Sequence, residues 1–194
     1  MKREISVKKI CEALGLTLMG PDVEIQSLYL YGRNTEYASV LSYSTAPQWV
    51  KKLLTVPQVR AAVVNEHFLQ GLSAEQNNSC TWILSDAPET TFYDIHDYLI
   101  DHTDFYESFN FEPVVGDGCT IHPMAVVERG VRIGNNVSIG PFTVIRSGTV
   151  IGDHVTIGPN CVIGEEGFQV LRANGVNRKI RHCGQTVLED HVEV

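Results

Sequence analysis

The side chains able to do chemistry gather in one stretch near the end of the chain. Between Glu165 and Gln185 stand Arg172, Arg178, Lys179, Arg181 and His182, against Glu165 and Glu166. A basic cluster in a chain of net charge −8 suits a phosphate group; a solvated loop is the other reading. Histidine exchanges protons near neutral pH, so His122, His154, His182 and His191 are the residues to place. Their spacing is not that of a zinc site, and no metal is expected. Five cysteines (Cys11, Cys80, Cys119, Cys161, Cys183) form no C-x-x-C pair and read as small thiols in a reducing compartment.

The elements that must position these groups follow from a period of six. Val115, Ile121, Val127, Ile133, Ile139, Ile145, Ile151, Ile157 and Ile163 recur at six-residue spacing without exception. Glycine follows six of these nine; His122, Glu128 and Arg146 take the other three places. Two residues before each aliphatic sits a small or medium residue, from Pro113 and Cys119 to Val155 and Cys161. In a strand such pairs share one face, β-branched residues suit a packed pleat, and glycine permits a tight corner. Short strand and corner alternate, and three hexads close one triangular coil of eighteen residues. Nine hexads therefore predict three coils of a left-handed parallel β-helix, with the aliphatics in interior columns. A sandwich would space its strands irregularly every 8–12 residues, and six is not a helical period.

From Glu165 to about Gln185 the period stops, and Leu188 and Val194 resume it, with Thr186 and Val192 two places before them. An interruption of this kind predicts a loop extruded from the prism, and such excursions commonly lie on a binding face. On this reading His122, His154 and His191 occupy solvated corners, whereas His182 lies in the excursion.

Residues 1–110 form a separate, small α+β domain in front of the helix of residues 111–194. Ser6 caps a helix carrying Val7, Ile10, Cys11 and Leu14, stopped by Gly15. Residues 23–28 alternate like one strand, Pro47 starts a second helix over 48–54, and 61–64 and 81–84 read as buried strands. A helix over 91–102 carries Phe92, Ile95 and Leu99 on one stripe, and a tether over 105–113 leads to the repeats. A pI near 5.3 argues against a general nucleic-acid binder. The first residues lack a signal-peptide h-region and no run approaches 18 apolar residues, so no transmembrane segment and a cytoplasmic protein are expected.

An α/β domain, hexapeptide repeats and the stretch IGEEGFQVLRANGVNRKIRHCGQTVLEDHVEV together resemble UDP-3-O-acylglucosamine N-acyltransferase of lipid A biosynthesis. The resemblance covers essentially the whole chain; Gly167-Phe168 and the front domain carry its specificity, since the repeats alone identify a fold of many functions. It implies a homotrimeric N-acyltransferase with active sites between neighbouring β-helices. That enzyme moves an acyl group from the phosphopantetheine of acyl carrier protein to the amine of a UDP-linked glucosamine, with no bound cofactor. In that family an L-S-F-x-x-N-P-x-Y motif holds the uracil between two rings. The matching stretch here is Leu41 to Trp49, which puts Tyr43 and Trp49 in the nucleotide-binding places and Ala46 in the asparagine's place. The resemblance also makes Phe168, Lys179 and His182 candidate contacts to acceptor or acyl donor. The family's histidine base sits in an I-A-H-N-V stretch that no position here matches, so the catalytic residue is unassigned. An incomplete catalytic unit, truncated after Val194, is the expectation, and a coil without a terminal cap points the same way.

Three other functions compete. An acetyl-CoA-dependent sugar acetyltransferase would bring a nucleotide-binding unit with a G-x-G-x-x-G turn, which this sequence lacks. A zinc enzyme on the same prism needs converging histidines. A non-catalytic binding protein needs no base at all.

Overall fold

The structure, a computed structural model, describes residues 3–173 and 175–194. It divides into two compact units, Met1–Tyr106 with Leu171–Arg178, and Glu107–Val170 with Lys179–Val194. The sequence boundary at 110/111 thus becomes 106/107, and the tip of the excursion groups with the first unit.

The first unit runs β1 (Ile5–Ser6), α1 (Val7–Leu14), β2 (Thr17–Met19), β3 (Glu24–Ile25), β4 (Ser27–Leu28), β5 (Val40–Tyr43), α2 (Pro47–Leu53), β6 (Val59–Val64), a 3-10 turn (Glu66–Leu69), α3 (Ala74–Asn78), β7 (Thr81–Leu84) and α4 (Pro88–His102). Five strands make one sheet in the order β2-β7-β6-β5-β4, antiparallel at β2 and parallel elsewhere. Ala62 and Val64 of β6 join Val50 and Leu53 of α2 in one core, with Trp82 and Cys80. By the two-residue alternation of a strand, Ala61 and Val63 face the opposite side, where α4 contacts β5 and β6. Burial on both faces explains the unbroken apolar run of β6. Ser6 caps α1 by accepting from the Lys9 N–H at 3.2 Å, and Gly15 ends the helix at φ 65°.

Residues 23–28 are two strands, not one. Glu24–Ile25 pairs with β1 and Ser27–Leu28 with β5, because Gln26 between them bridges two other segments. Its amide donates to Glu4 Oε1 at 2.6 Å and accepts from the Ala38 N–H at 2.9 Å.

The six-residue period becomes nine short strands: β8 (Val114–Val115), β9 (Thr120–Ile121), β10 (Val126–Val127), β11 (Arg132–Ile133), β12 (Ser138–Ile139), β13 (Val144–Ile145), β14 (Thr149–Ile151), β15 (Thr156–Ile157) and β16 (Val162–Ile163). A ribbon follows, β17 (Val170–Ala173) with β18 (Val176–Lys179), then β19 (Thr186–Leu188). The walls are three parallel sheets, β19-β14-β11-β8, β15-β12-β9 and β10-β13-β16, in which Ile133 stands opposite Val115 and Ile151. The hexapeptide spacing and these stacked parallel walls are those of a left-handed β-helix. Ile133, Ile139, Ile145, Ile151, Ile157 and Ile163 are buried in one cluster, with Val131, Val137 and Val155 from the places two before.

Among the nine aliphatics before the excursion, interior packing fails at one. Val115 is 45% exposed, because β8 is an edge strand and its side chain has a neighbouring layer on one side only. After the excursion the chain rejoins the same wall. Thr186 pairs with Thr149 and Leu188 with Ile151, so the hexad resumes in register as the spacing required.

The corners explain the glycines. At one corner Asn135 Oδ1 accepts from the Asp117 N–H, Asp153 Oδ1 from the Asn135 N–H, and Asp190 Oδ1 from the Asp153 N–H, at 2.9, 2.7 and 2.8 Å. Each carboxyl or amide lies so close to the glycine of the coil before it that a Cβ there would meet it at 2.3–2.6 Å. The next residues, Asn136, His154 and His191, hold φ of 56–61°, a left-handed geometry in which asparagine and histidine are enriched. His154 and His191 stack at 5.0 Å with 3° between their planes, both exposed, as solvated corner residues should be.

Candidate functional site

Charged side chains gather at the corner where the excursion departs. Three residues that break the glycine rule, or follow one that keeps it, meet there. Arg146 Nη1 lies 3.0 Å from Glu128 Oε1, and its Nε lies 3.6 Å from Glu165 Oε2. The other Glu128 oxygen accepts from the Ser147 N–H at 2.9 Å. Glu128 and Arg146 stand one coil apart in the same column, and that eighteen-residue spacing was visible in the sequence.

These residues line a cavity of about 360 Å³ together with Phe109, His182 and Gln185. Phe109 belongs to the tether. Its ring lies where a Cβ on Gly148 would meet it at 3.1 Å, and its carbonyl where a Cβ on Gly130 would meet it at 2.2 Å. Both glycines also hold φ near 80°, so the corner tolerates no other residue for two reasons.

His182 is held from two sides. Its Cε1 lies 2.7 Å from where a Cβ on Gly167 would stand, so the glycine of the Gly167-Phe168 pair makes room for the imidazole. Its backbone N–H donates to Glu166, whose carboxylate also accepts from Lys179 Nζ at 2.7 Å. The Lys179 bond, helped by that backbone N–H, holds the Glu166 carboxyl below the usual carboxylate range. Among the described residues, no protein group hydrogen-bonds the His182 ring nitrogens. A neutral imidazole at this place can therefore take a proton from a bound group. Phe168, the third candidate of the excursion, is 91% exposed.

Arg178 serves within the first unit. Its guanidinium bonds Asp94 Oδ1 at 2.5 Å, the Tyr93 carbonyl at 3.0 Å, and Asp97. Arg178 and Lys179 of the excursion are thus already held by carboxylates.

The corner carries one unfilled bond. Inside the prism, Cys119 Sγ donates to the Gly134 carbonyl at 3.1 Å and Thr143 Oγ1 to that of Gly158 at 2.7 Å, each fifteen residues on. Gly164 stands in that relation to Thr149, but it turns the chain outward at φ 81°, and the wholly buried Thr149 hydroxyl has no partner. Thr149→Val is expected to raise the unfolding free energy by about 1 kcal/mol, since a buried donor without an acceptor costs about that much. Urea denaturation checks it, and a lowered midpoint would count against the orphaned hydroxyl.

Tyr43 and Trp49 stand at different surroundings in the first unit. Tyr43, at the end of β5, is half-buried, with its ring 4.8 Å from Phe92 and its hydroxyl donating to Glu89 at 2.9 Å. Burial first, then that bond, pushes its phenol above the ordinary range. Trp49 on α2 is exposed, with Tyr31 at 5.9 Å and Lys52 Nζ 4.1 Å over its ring. Ala46 precedes α2 without a side-chain cap, and Pro47 starts the helix.

Residues 112–147 and 130–165 match the model of the bacterial transferase hexapeptide family, six repeats each. The chain carries transferase hexapeptide repeats. They support transfer of an acyl or acetyl group as the general chemistry, on a solenoid of a kind that often forms trimers. No curated protein matches the chain. Among the described residues, no helix is long and apolar enough to cross a membrane, and no group of three metal-binding side chains forms.

Proposed function

We propose that this chain serves the transfer of an acyl group from a phosphopantetheine thioester, on acyl carrier protein, to the amine of a UDP-linked glucosamine. The observation that supports the reading is the cavity at the corner where the excursion departs, which the unbonded imidazole of His182 lines with Ser147, Gln185, Glu165 and Glu166 on a transferase solenoid. The amine nitrogen attacks the thioester carbonyl, and His182 takes the N–H proton. The tetrahedral intermediate then expels the thiolate as the C–S bond breaks, and the imidazolium returns the proton to that sulfur. Amide and free thiol are the products. Tyr43 and Trp49 supply aromatic surface for the nucleotide of the acceptor, and Phe168 and Lys179 border the donor's approach.

Self-association fits the outer walls. Val126, Val144 and Val162 stand in register on one wall, with Met124 and Phe142 exposed at the corner before it, whereas the preceding wall shows Thr120, Ser138 and Thr156. A homotrimer packed on the valine wall is the assembly we favour. Five cysteines without disulfides suit a cytoplasmic setting.

The test is acyl transfer from acyl carrier protein and, separately, acetyl-CoA to UDP-3-O-acylglucosamine, with the amide product measured by mass spectrometry. His182→Ala is expected to lower kcat by about 10²–10⁴-fold, the usual range for a lost general base, with KM nearly unchanged. An unchanged kcat removes His182 from the chemistry. Transfer from acetyl-CoA alone removes the carrier protein.

A further inference from the structure

His154 and His191 stand 37 residues apart in the chain, nineteen more than one coil, yet they occupy successive layers of one corner. That separation hides the pair from a reading by spacing. The excursion takes up the difference: β19 pairs with β14 in register, so Asp190 and His191 fall directly over Asp153 and His154. Both histidines hold the same left-handed φ, 58° and 61°. Each N–H is tied to the layer before, His154 to the Asn135 carbonyl at 2.8 Å and His191 to the Asp153 carbonyl at 2.9 Å. Matching backbones launch the two side chains in parallel, which is why the rings stack with 3° between their planes and 5.0 Å between centroids.

Stacking leaves the ring nitrogens open. Among the described residues no protein group hydrogen-bonds either ring, and both histidines are exposed. Imidazole nitrogens are donors that Zn²⁺, Ni²⁺ and Cu²⁺ accept, at metal–nitrogen distances of about 2.0–2.1 Å. One metal therefore spans nitrogens up to about 4 Å apart, and a small turn about χ1 or χ2 closes the 5.0 Å stack into a chelate. The surrounding charge favours a cation. Residues 186–194 hold Glu189, Asp190 and Glu193 and no lysine or arginine, and residues 152–160 add Asp153 alone. The corner lies between the walls β19-β14-β11-β8 and β15-β12-β9, opposite the valine wall, so the assembly favoured above leaves it open to solvent.

We infer that His154 and His191 form a bidentate site for a first-row divalent transition metal, with water in its remaining positions, which clips the coil after the excursion to the coil before it. Neither histidine lines the cavity of His182, and the inference stands apart from the acyl-transfer reading. The clip closes the loop of the excursion, whose return brings Gln185 and Thr186 to that cavity.

The untagged full chain is titrated with Ni²⁺ by calorimetry. Exposed thiols also bind nickel, so the histidine variants decide. His154→Asn and His191→Asn keep the corner, since Asn136 holds the same backbone geometry one layer before. Each is expected to weaken Ni²⁺ binding by about tenfold or more, and the double variant no further than either single, because a chelate fails once one arm is lost. His122→Asn stays within about twofold, because its column continues with Gly140 and Gly158. Zn²⁺ should displace the nickel, whereas Mg²⁺, which takes oxygen ligands, should not. Ni²⁺ should also raise the melting midpoint of the unmodified chain and of neither single variant. Nickel binding that is absent from the unmodified chain, or unchanged in either single variant, overturns the inference. Losses that add in the double variant overturn it too, since they would mark two separate ligands. Melts without metal, monitored by circular dichroism, separate lost binding from lost folding.

Discussion

Gly134→Ala is expected to lower the unfolding free energy by about 3 kcal/mol, and Gly184→Ala to leave it unchanged. At Gly134 the added carbon would stand 2.4 Å from Asp153 Oδ1 and 2.7 Å from the Gly152 carbonyl carbon. Neither neighbour can yield cheaply. The Asp153 oxygen accepts from both the backbone and the side-chain amide of Asn135, at 2.7 and 3.2 Å. Gly152 is tied into the next coil through its N–H to the Leu188 carbonyl at 2.8 Å. Relieving the clash therefore opens at least one ladder bond as well as spreading two coils. At Gly184 an added carbon meets nothing within 4 Å and the backbone needs no left-handed geometry. Urea midpoints from far-ultraviolet circular dichroism decide it; equal midpoints for the two variants would mean that the coils can part without cost.

Ile145→Ala is expected to cost about 3–4 kcal/mol, and Val115→Ala less than about 1 kcal/mol. The sequence places both at equivalent points of the hexad. Ile145 is wholly buried and has Val127 and Ile163 in register on either side, so truncation leaves a cavity that neither layer can fill. Val115 is 45% exposed and has a layer on one side only. The same denaturation experiment checks the pair. Comparable losses at the two sites would show that depth in the stack does not set the value of a column residue.

These two predictions mark where reading the chain works. Every sixth residue from Val115 to Ile163 is β-branched, and that alone dictates parallel pairing at eighteen-residue offset, since no other period brings like residues onto one interior face. The resumption at Leu188 was legible for the same reason. So was the helix Val7–Leu14, whose stop and start are chemical, a serine hydroxyl and a left-handed glycine. The split of residues 23–28 was not legible, because alternation is the same whether a strand has one partner or two. Central strand β5 likewise does not stand out from its four residues, because its identity comes from β4 and β6 on either side.

The site divides along the same line. His182 and Lys179 drew notice from a break in a period and Phe168 from the family resemblance, and Glu128 with Arg146 could have been picked as departures from glycine one coil apart. That Lys179 is tied to Glu166 while Phe168 stands in water required coordinates, since both follow from the path of the excursion. Tyr31 carried no sequence signal at all. It lies eighteen residues from Trp49, outside the motif around it, and a turn and a helix from different parts of the unit bring the rings together. Periodic order is local and repeats along the chain, so composition and spacing determined the prism and its glycine corners. Which side chains meet at a non-repeating place depends on long-range packing, and there only the tertiary structure decided.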